Sequence, residues 1–110
     1  MENTIREIRL CKINEISVGE AKSFVVEGRE IGVFNVDGKL YAIDNLCVHA
    51  GAPLSEGSID TENCRVFCGW HGWAFDLATG KCTTHPRQDV FCDSYPIIIK
   101  NDEIYIKFQD

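Results

Sequence analysis

Apolar and polar positions alternate in short runs along this chain, and the runs are broken by Gly, Asp and Asn rather than by long polar stretches. Runs of this kind, rich in Ile, Val, Phe and Tyr, predict β-strands, and no apolar stripe of helical period competes with them. Residues 5–13 predict a first strand. Residues 22–26 meet 29–36 across Glu27-Gly28, and Asp37-Gly38 turns that strand back into 39–44. Asp-Gly between such segments signals a hairpin, because tight hairpin turns need the positive φ that Gly accepts. Near the carboxy end, 95–100 and 103–108 flank Asn101-Asp102 as another hairpin. The pattern predicts an all-β fold in a single domain, 1–110.

Segment 45–86 has a different texture. It is rich in Gly, Cys, His and Pro, with short strand-like pieces only at 64–67 and 73–77, and predicts a subdomain inserted into the sheet frame. No internal repeat, low-complexity stretch or linker sets it apart as a second domain.

Composition narrows the function. With 110 residues, 45% of them hydrophobic, the chain can bury one modest core and has no room for a separate catalytic domain. Seventeen acidic against eleven basic side chains give a net charge of −6, which disfavours nucleic acid and favours basic protein surfaces as partners. No stretch approaches the roughly 18 apolar residues of a membrane span, and the opening MENTIREIRL is too charged for an export signal. The expectation is a cytoplasmic protein without membrane contact. Six cysteines could frame disulfides in a secreted chain, but without an export signal they point to metal ligands and reduced thiols.

Two of the six stand beside histidines, in Cys47-Val48-His49 and Cys68-Gly69-Trp70-His71. Cys11, Cys64, Cys82 and Cys92 lack such neighbours and are expected to be buried or partly buried thiols. Two sulfurs and two imidazoles suit a 2Fe-2S centre with both histidines on one iron and both cysteines on the other, so each segment gives one ligand to each iron. Gly51, Gly69 and Gly72 would let the backbone turn closely around the sulfides. The same donor set can bind structural zinc, although zinc fingers usually pair cysteine with cysteine and histidine with histidine.

The segments CVHAGAPLSEGSID, beginning at Cys47, and CGWHGWAFDLATGKC, beginning at Cys68, closely resemble the two cluster-binding motifs of Rieske ferredoxins and of the Rieske domains of bacterial oxygenases. Tyr95-Pro96 and the closing strand are also similar to that family's end. The resemblance implies three stacked antiparallel sheets with an inserted cluster-binding subdomain. It further implies a Rieske-type 2Fe-2S cluster held at an exposed tip by Cys47, His49, Cys68 and His71. Gly69 stands where many relatives have proline. Ala52 and Trp70 replace the cysteines that form a disulfide over the cluster in Rieske proteins of respiratory bc complexes, so no such bridge is expected. Trp73 and Phe75 replace a serine and tyrosine that hydrogen-bond the cluster there. Pro86 stands either in a proline-containing third loop over the cluster, as in the family, or in an ordinary turn. His85 reads as a solvated loop residue, Trp73 as packing, and Trp70 as the better candidate for partner contact.

With two neutral imidazoles the oxidised centre is formally uncharged and becomes a monoanion on reduction, so its potential lies above that of all-cysteine clusters. Non-haem oxygenases need a further site of two histidines and a carboxylate, and His85 alone cannot build it. The chain is expected to carry electrons and not to be an enzyme by itself. The resemblance implies a monomeric ferredoxin passing electrons from an NAD(P)H-dependent flavin reductase to a terminal oxygenase. Two alternatives remain: the small Rieske-like subunit of an NAD(P)H-dependent nitrite reductase, and a zinc-stabilised interaction module. For docking, Ala50, Gly51, Pro53, Gly69, Trp70 and Gly72 suggest an apolar tip, surrounded by Glu56, Asp60, Glu62, Asp76 and Asp89.

Overall fold

The computed structural model describes residues 5–45, 53–68, 74–83 and 93–109. Among the described residues ten strands form three antiparallel sheets, and no α-helix occurs. The first sheet joins the chain's two ends: β1 (Ile5–Lys12), β10 (Glu103–Gln109) and β9 (Ile97–Lys100), in the order β1-β10-β9. The middle sheet runs β2-β3-β4-β8, from Ala21–Val26, Arg29–Val36, Lys39–Asp44 and Ser94–Tyr95. A third sheet of short strands, β5 (Ser58–Asp60), β6 (Arg65–Phe67) and β7 (Ala74–Asp76), lies within the Cys- and Gly-rich part of the chain.

The three turns predicted from dipeptides adopt left-handed backbone throughout. Glu27 and Gly28 have φ of 50° and 84°, Asp37 and Gly38 have 53° and 92°, and Asn101 and Asp102 have 51° and 64°. Two successive positive φ values give the turn whose twist matches that of paired strands, which fixes each hairpin's register.

β3 shows why the middle sheet is the frame. Successive side chains of a strand point to opposite faces, yet all residues from Ile31 to Val36 are buried. Ile31 and Val33 join Val26, Ala42, Ile104, Ile106 and Phe108 in one core cluster against the first sheet. Phe34 and Val36 join Ile43, Leu54, Val66, Cys68, Phe75 and Leu77 in another, against the third sheet. Each large apolar side chain so buried contributes about 1.5–3 kcal/mol.

Three features depart from the sequence reading. The strand expected over 95–100 is two, because Pro96 interrupts it: Tyr95 pairs with Ala42 in the middle sheet, whereas Ile97 pairs with Ile106 in the first. Proline has no N–H for a ladder, so the chain changes sheet there. β5, which no alternation announced, is a three-residue strand held by its register against β6. Cys64, expected in a strand, occupies a turn at φ 52°. The first strand gives way to a 3-10 turn at Ile13–Glu15, and a second such turn is Leu54–Glu56.

Candidate cluster-binding site

Of the four expected ligands, Cys68 lies among the described residues; Cys47, His49 and His71 lie outside them. Trp70, Trp73, His85, Pro86, Cys92, Asp89, Ala50, Gly51, Ala52, Gly69 and Gly72 also lie outside them. What the structure shows is how the chain is held where each ligand-bearing segment begins and ends.

Cys68 follows β6 directly. It is 1% exposed, packs in the same cluster as Leu54, Val66 and Phe75, and its thiol is free. The last rung of the β6–β7 hairpin pairs Phe67 with Ala74, so the segment carrying Cys68 and His71 is closed at its base. A free thiol in an apolar surround, at a strand end beside a closed loop, fits a cluster ligand, because a dry shell limits water's access to the thiolate and the metal. Cys11, Cys64 and Cys82 form no disulfide either. Burial raises the Cys11 thiol above its usual pKa, which keeps it protonated and inert. Among the described residues no group of three or more His, Cys, Asp or Glu gathers as a metal site.

The segment carrying Cys47 and His49 is closed by Asn45, which is fully buried. Its carbonyl accepts from the Leu54 amide at 2.5 Å, and its Oδ1 accepts from the Ser55 amide at 2.7 Å. Its Nδ2 donates to Glu30 Oε2 at 2.6 Å, and its own amide donates to the Glu30 carbonyl at 2.9 Å. Every polar group of this residue that faces the interior is thus satisfied, as a buried amide requires. Gly32 makes room for it, since a Cβ there would lie 2.7 Å from Asn45 Oδ1.

The two closed bases meet at Gly57. A Cβ on this residue would stand 1.9 Å from the carbonyl oxygen of Phe67, just before Cys68. The contact is with backbone, so neither partner can rotate away. We expect Gly57→Ala to cost about 3 kcal/mol, near the upper end of overpacking effects. Equilibrium denaturation checks this; a variant as stable as the parent would show that the two bases can separate at little cost.

A third connection, 84–92, leaves and returns beside the others. Thr83 donates through its amide to the Ala74 carbonyl at 2.8 Å, and Arg65 reaches Thr83 Oγ1 at 3.5 Å. Arg65 also pairs with Asp60 at 3.0 Å and lies 4.9 Å over the Phe67 ring. Hydrogen bonds from Asn63 and then Arg65 hold the Asp60 carboxyl below its usual pKa. Asp76 turns its carboxylate to the Ala78 and Thr79 amides at 2.8 and 3.0 Å. The acidic surround expected from sequence is therefore narrower than its composition. Asp60 and Asp76 serve their own loops, and among the described members Glu56 and Glu62 are exposed to solvent. Asn45, Glu30 and Gly57 were not singled out by sequence; the one visible signal was a short amide at the end of an apolar strand.

Phe75 is fully buried in the core, where its ring offers no hydroxyl. No helix of the described residues is long and apolar enough to cross a membrane.

Residues 6–96 match the family model described as the Rieske [2Fe-2S] domain. The chain is 34% identical over 104 residues to the ferredoxin component of the naphthalene 1,2-dioxygenase system of Pseudomonas putida, covering 94% of this chain and 96% of that one. Its fold superposes with a TM-score of 0.82 and 26% identity on a protein solved in a complex of reduced oxygenase and oxidised ferredoxin in carbazole 1,9a-dioxygenase, covering 92% of each chain. At a TM-score of 0.84 but 22% identity, and 96% coverage of each chain, it also shares the fold of a putative NADH-dependent nitrite reductase small subunit from Mycobacterium tuberculosis.

Proposed function

The chain belongs to the Rieske [2Fe-2S] domain family, and from that membership we propose that Cys47 and Cys68 hold one iron of its cluster while His49 and His71 hold the other. It is an electron-transfer component of a multicomponent oxidoreductase system and not itself a catalyst. The observation that carries this reading is 34% identity over 94% of the chain to a dioxygenase-system ferredoxin, joined to a free, buried Cys68 thiol at the base of the second motif.

When bound, a 2Fe-2S cluster supplies one-electron transfer. The chain's own residues do the rest. The two thiolates bring negative charge and the two imidazoles bring none, so the donor set resists an added electron less than four thiolates would. Asn45 and the Phe67–Ala74 rung hold the two ligand segments at their bases, and Gly57 lets those bases touch. Cys68 sits in apolar packing that keeps water from that side of the site.

The finer assignments follow from the same reading. The electron donor is a flavin-dependent NAD(P)H reductase, the acceptor a terminal oxygenase, and the carrier a monomer acting in the cytoplasm. The shape shared with the nitrite reductase small subunit does not choose between shuttle and permanent subunit; sequence similarity to dioxygenase ferredoxins favours the shuttle. Single domain 1–110, with a cluster-binding subdomain at about 45–86, remains our description of the organisation.

Iron and acid-labile sulfide analysis tests the centre. Two irons and two sulfides per chain are expected, with the low-average-g EPR signal of a nitrogen-ligated 2Fe-2S centre after dithionite reduction. Stoichiometric zinc without labile sulfide overturns the assignment in favour of the interaction module. Because hydroxyl donors raise the potential by stabilising the added charge, and Trp73 and Phe75 supply none, the midpoint at neutral pH is expected below about 0 mV, in the lower part of the Rieske range. A voltammetric value above about +100 mV would show that other dipoles govern it.

A further inference from the structure

Next to Asn45, its neighbour Asp44 makes a second set of bonds that loop closure alone does not need. Its Oδ1 accepts from the Tyr95 hydroxyl at 2.7 Å, and its Oδ2 accepts from the Asp93 amide at 3.2 Å and from Arg29 Nη2 at 3.2 Å. The Asp44 amide in turn donates to the Asp93 carbonyl at 2.9 Å. Arg29 Nη2 also reaches Asp93 Oδ2 at 2.8 Å. One carboxylate therefore gathers a phenol, a backbone amide and a guanidinium, all at the point where the chain returns from 84–92.

The need for this gathering is visible in β8. That strand has two residues and pairs with β4 only through Ala42–Tyr95 and Ile43–Ser94. Clefts of about 200 and 320 Å³ lie to either side of it, and Tyr95 lines both. Two rungs between clefts are a weak attachment. Of the pairings, Arg29–Asp93 is between groups about half exposed and contributes little. Asp44 is 22% exposed, and its bond to Tyr95 is partly buried, where such bonds count for more. Burial, and then Asp44, push the Tyr95 phenol well above its usual pKa, so it stays a donor at all ordinary pH. Tyr95 is itself fixed by stacking on Phe108, with ring centroids 5.9 Å apart and planes inclined by 7°.

We propose that Asp44 is a positioning residue for the redox centre: through Tyr95 and Asp93 it fixes the returning chain against the strand that leads into Cys47 and His49. Asp44 and Asn45 then divide the work. Asn45 closes the base of the first ligand segment, and Asp44 ties the end of β4 to Asp93 and Tyr95, with a consequence for both cluster retention and potential. The proposal rests on the ligand assignment above.

The test uses the purified holoprotein and the variants Asp44→Asn, Asp44→Ala, Tyr95→Phe and the double variant Asp44→Asn with Tyr95→Phe. Tyr95→Phe keeps the stacking and loses only the hydroxyl. Three quantities are read: midpoint potential, half-life of the visible absorption on warming, and trypsin cleavage after Arg87 relative to cleavage after Lys100. In both Asp44 variants the potential should rise, since a negative charge is removed and Arg29 keeps only Asp93 as its carboxylate partner. The half-life should fall at least threefold, and relative cleavage after Arg87 should rise at least threefold. Tyr95→Phe should shift half-life and cleavage the same way but less, and the double variant should fall short of the summed single effects. If Asp44→Ala fails to fold, Asp44→Asn and Tyr95→Phe carry the test. Unchanged potential and cleavage in these variants, with only a lower unfolding temperature, would overturn the proposal. The cleavage readout needs no cluster, so a failed ligand assignment and a failed positioning role give different results.

Discussion

Replacing Cys68 with serine or alanine is expected to remove the cluster altogether, leaving a colourless protein with background iron and sulfide. A four-ligand centre has no spare donor, and a missing thiolate cannot be supplied by Cys64 or Cys82. Cys64 turns at φ 52° near Tyr41, where a hydrogen bond between the two, and then burial, raise the Tyr41 phenol. Cys82 stands opposite Phe75 on the far side of β7. Cys64→Ser and Cys82→Ser should therefore keep full iron and sulfide, as should His85→Gln. The alanine variant separates ligand loss from the cost of placing a hydroxyl in an apolar core, which is about 1–3 kcal/mol in proteins. A coloured Cys68→Ala protein with two irons per chain would displace Cys68 from the ligand set, and a colourless Cys64→Ser would show that Cys64 is needed to hold the cluster.

Asn45→Leu is expected to be the most destabilising substitution outside the ligands. Leucine fills nearly the same volume but leaves the Ser55 amide without its acceptor and Glu30 Oε2 without its donor. Each orphaned group is part-buried and costs about 1–3 kcal/mol, so a loss of about 4 kcal/mol is expected, or roughly 15–20 °C in unfolding temperature for a chain of this size. Thermal unfolding followed by circular dichroism reads it. A fall of only a few degrees would mean that water reaches both groups once the amide is gone. Since the base of the first ligand segment opens with Asn45, cluster loss on warming should precede global unfolding in this variant.

Much of this was legible in the sequence because the information was local. Asp37-Gly38 and Glu27-Gly28 specify hairpins by backbone chemistry alone, and the two Cys/His pairs specify a donor set by spacing. What escaped was set by pairings that no pattern of residue types announces, whether a few residues away or far along the chain. Ser58–Asp60 is a strand only because Arg65–Phe67 lies beside it. Pro96 looks like any proline until the two sheets it separates are known. Asp60 and Asp76 read as docking charges because sequence shows their number and hides Arg65 and the turn amides that occupy them. Asn45 is an ordinary amide until the distances to Glu30 and Ser55 are measured.

The pairing of Ile5 with Gln109 also orders events during synthesis. The middle sheet, the third sheet and all four proposed ligands leave the ribosome before β10, and β1 waits for its neighbour until both of those sheets have been made. Until Ile104, Ile106 and Phe108 arrive, Ile31 and Val33 on the completed β3 lack those three side chains as cover on that side. Until β10 is captured, the nascent chain thus presents a sticky, half-finished sandwich, the condition in which chaperones are most needed. A chain cut short before Glu103 would retain every ligand and both motifs, yet expose that face to chaperones and proteases.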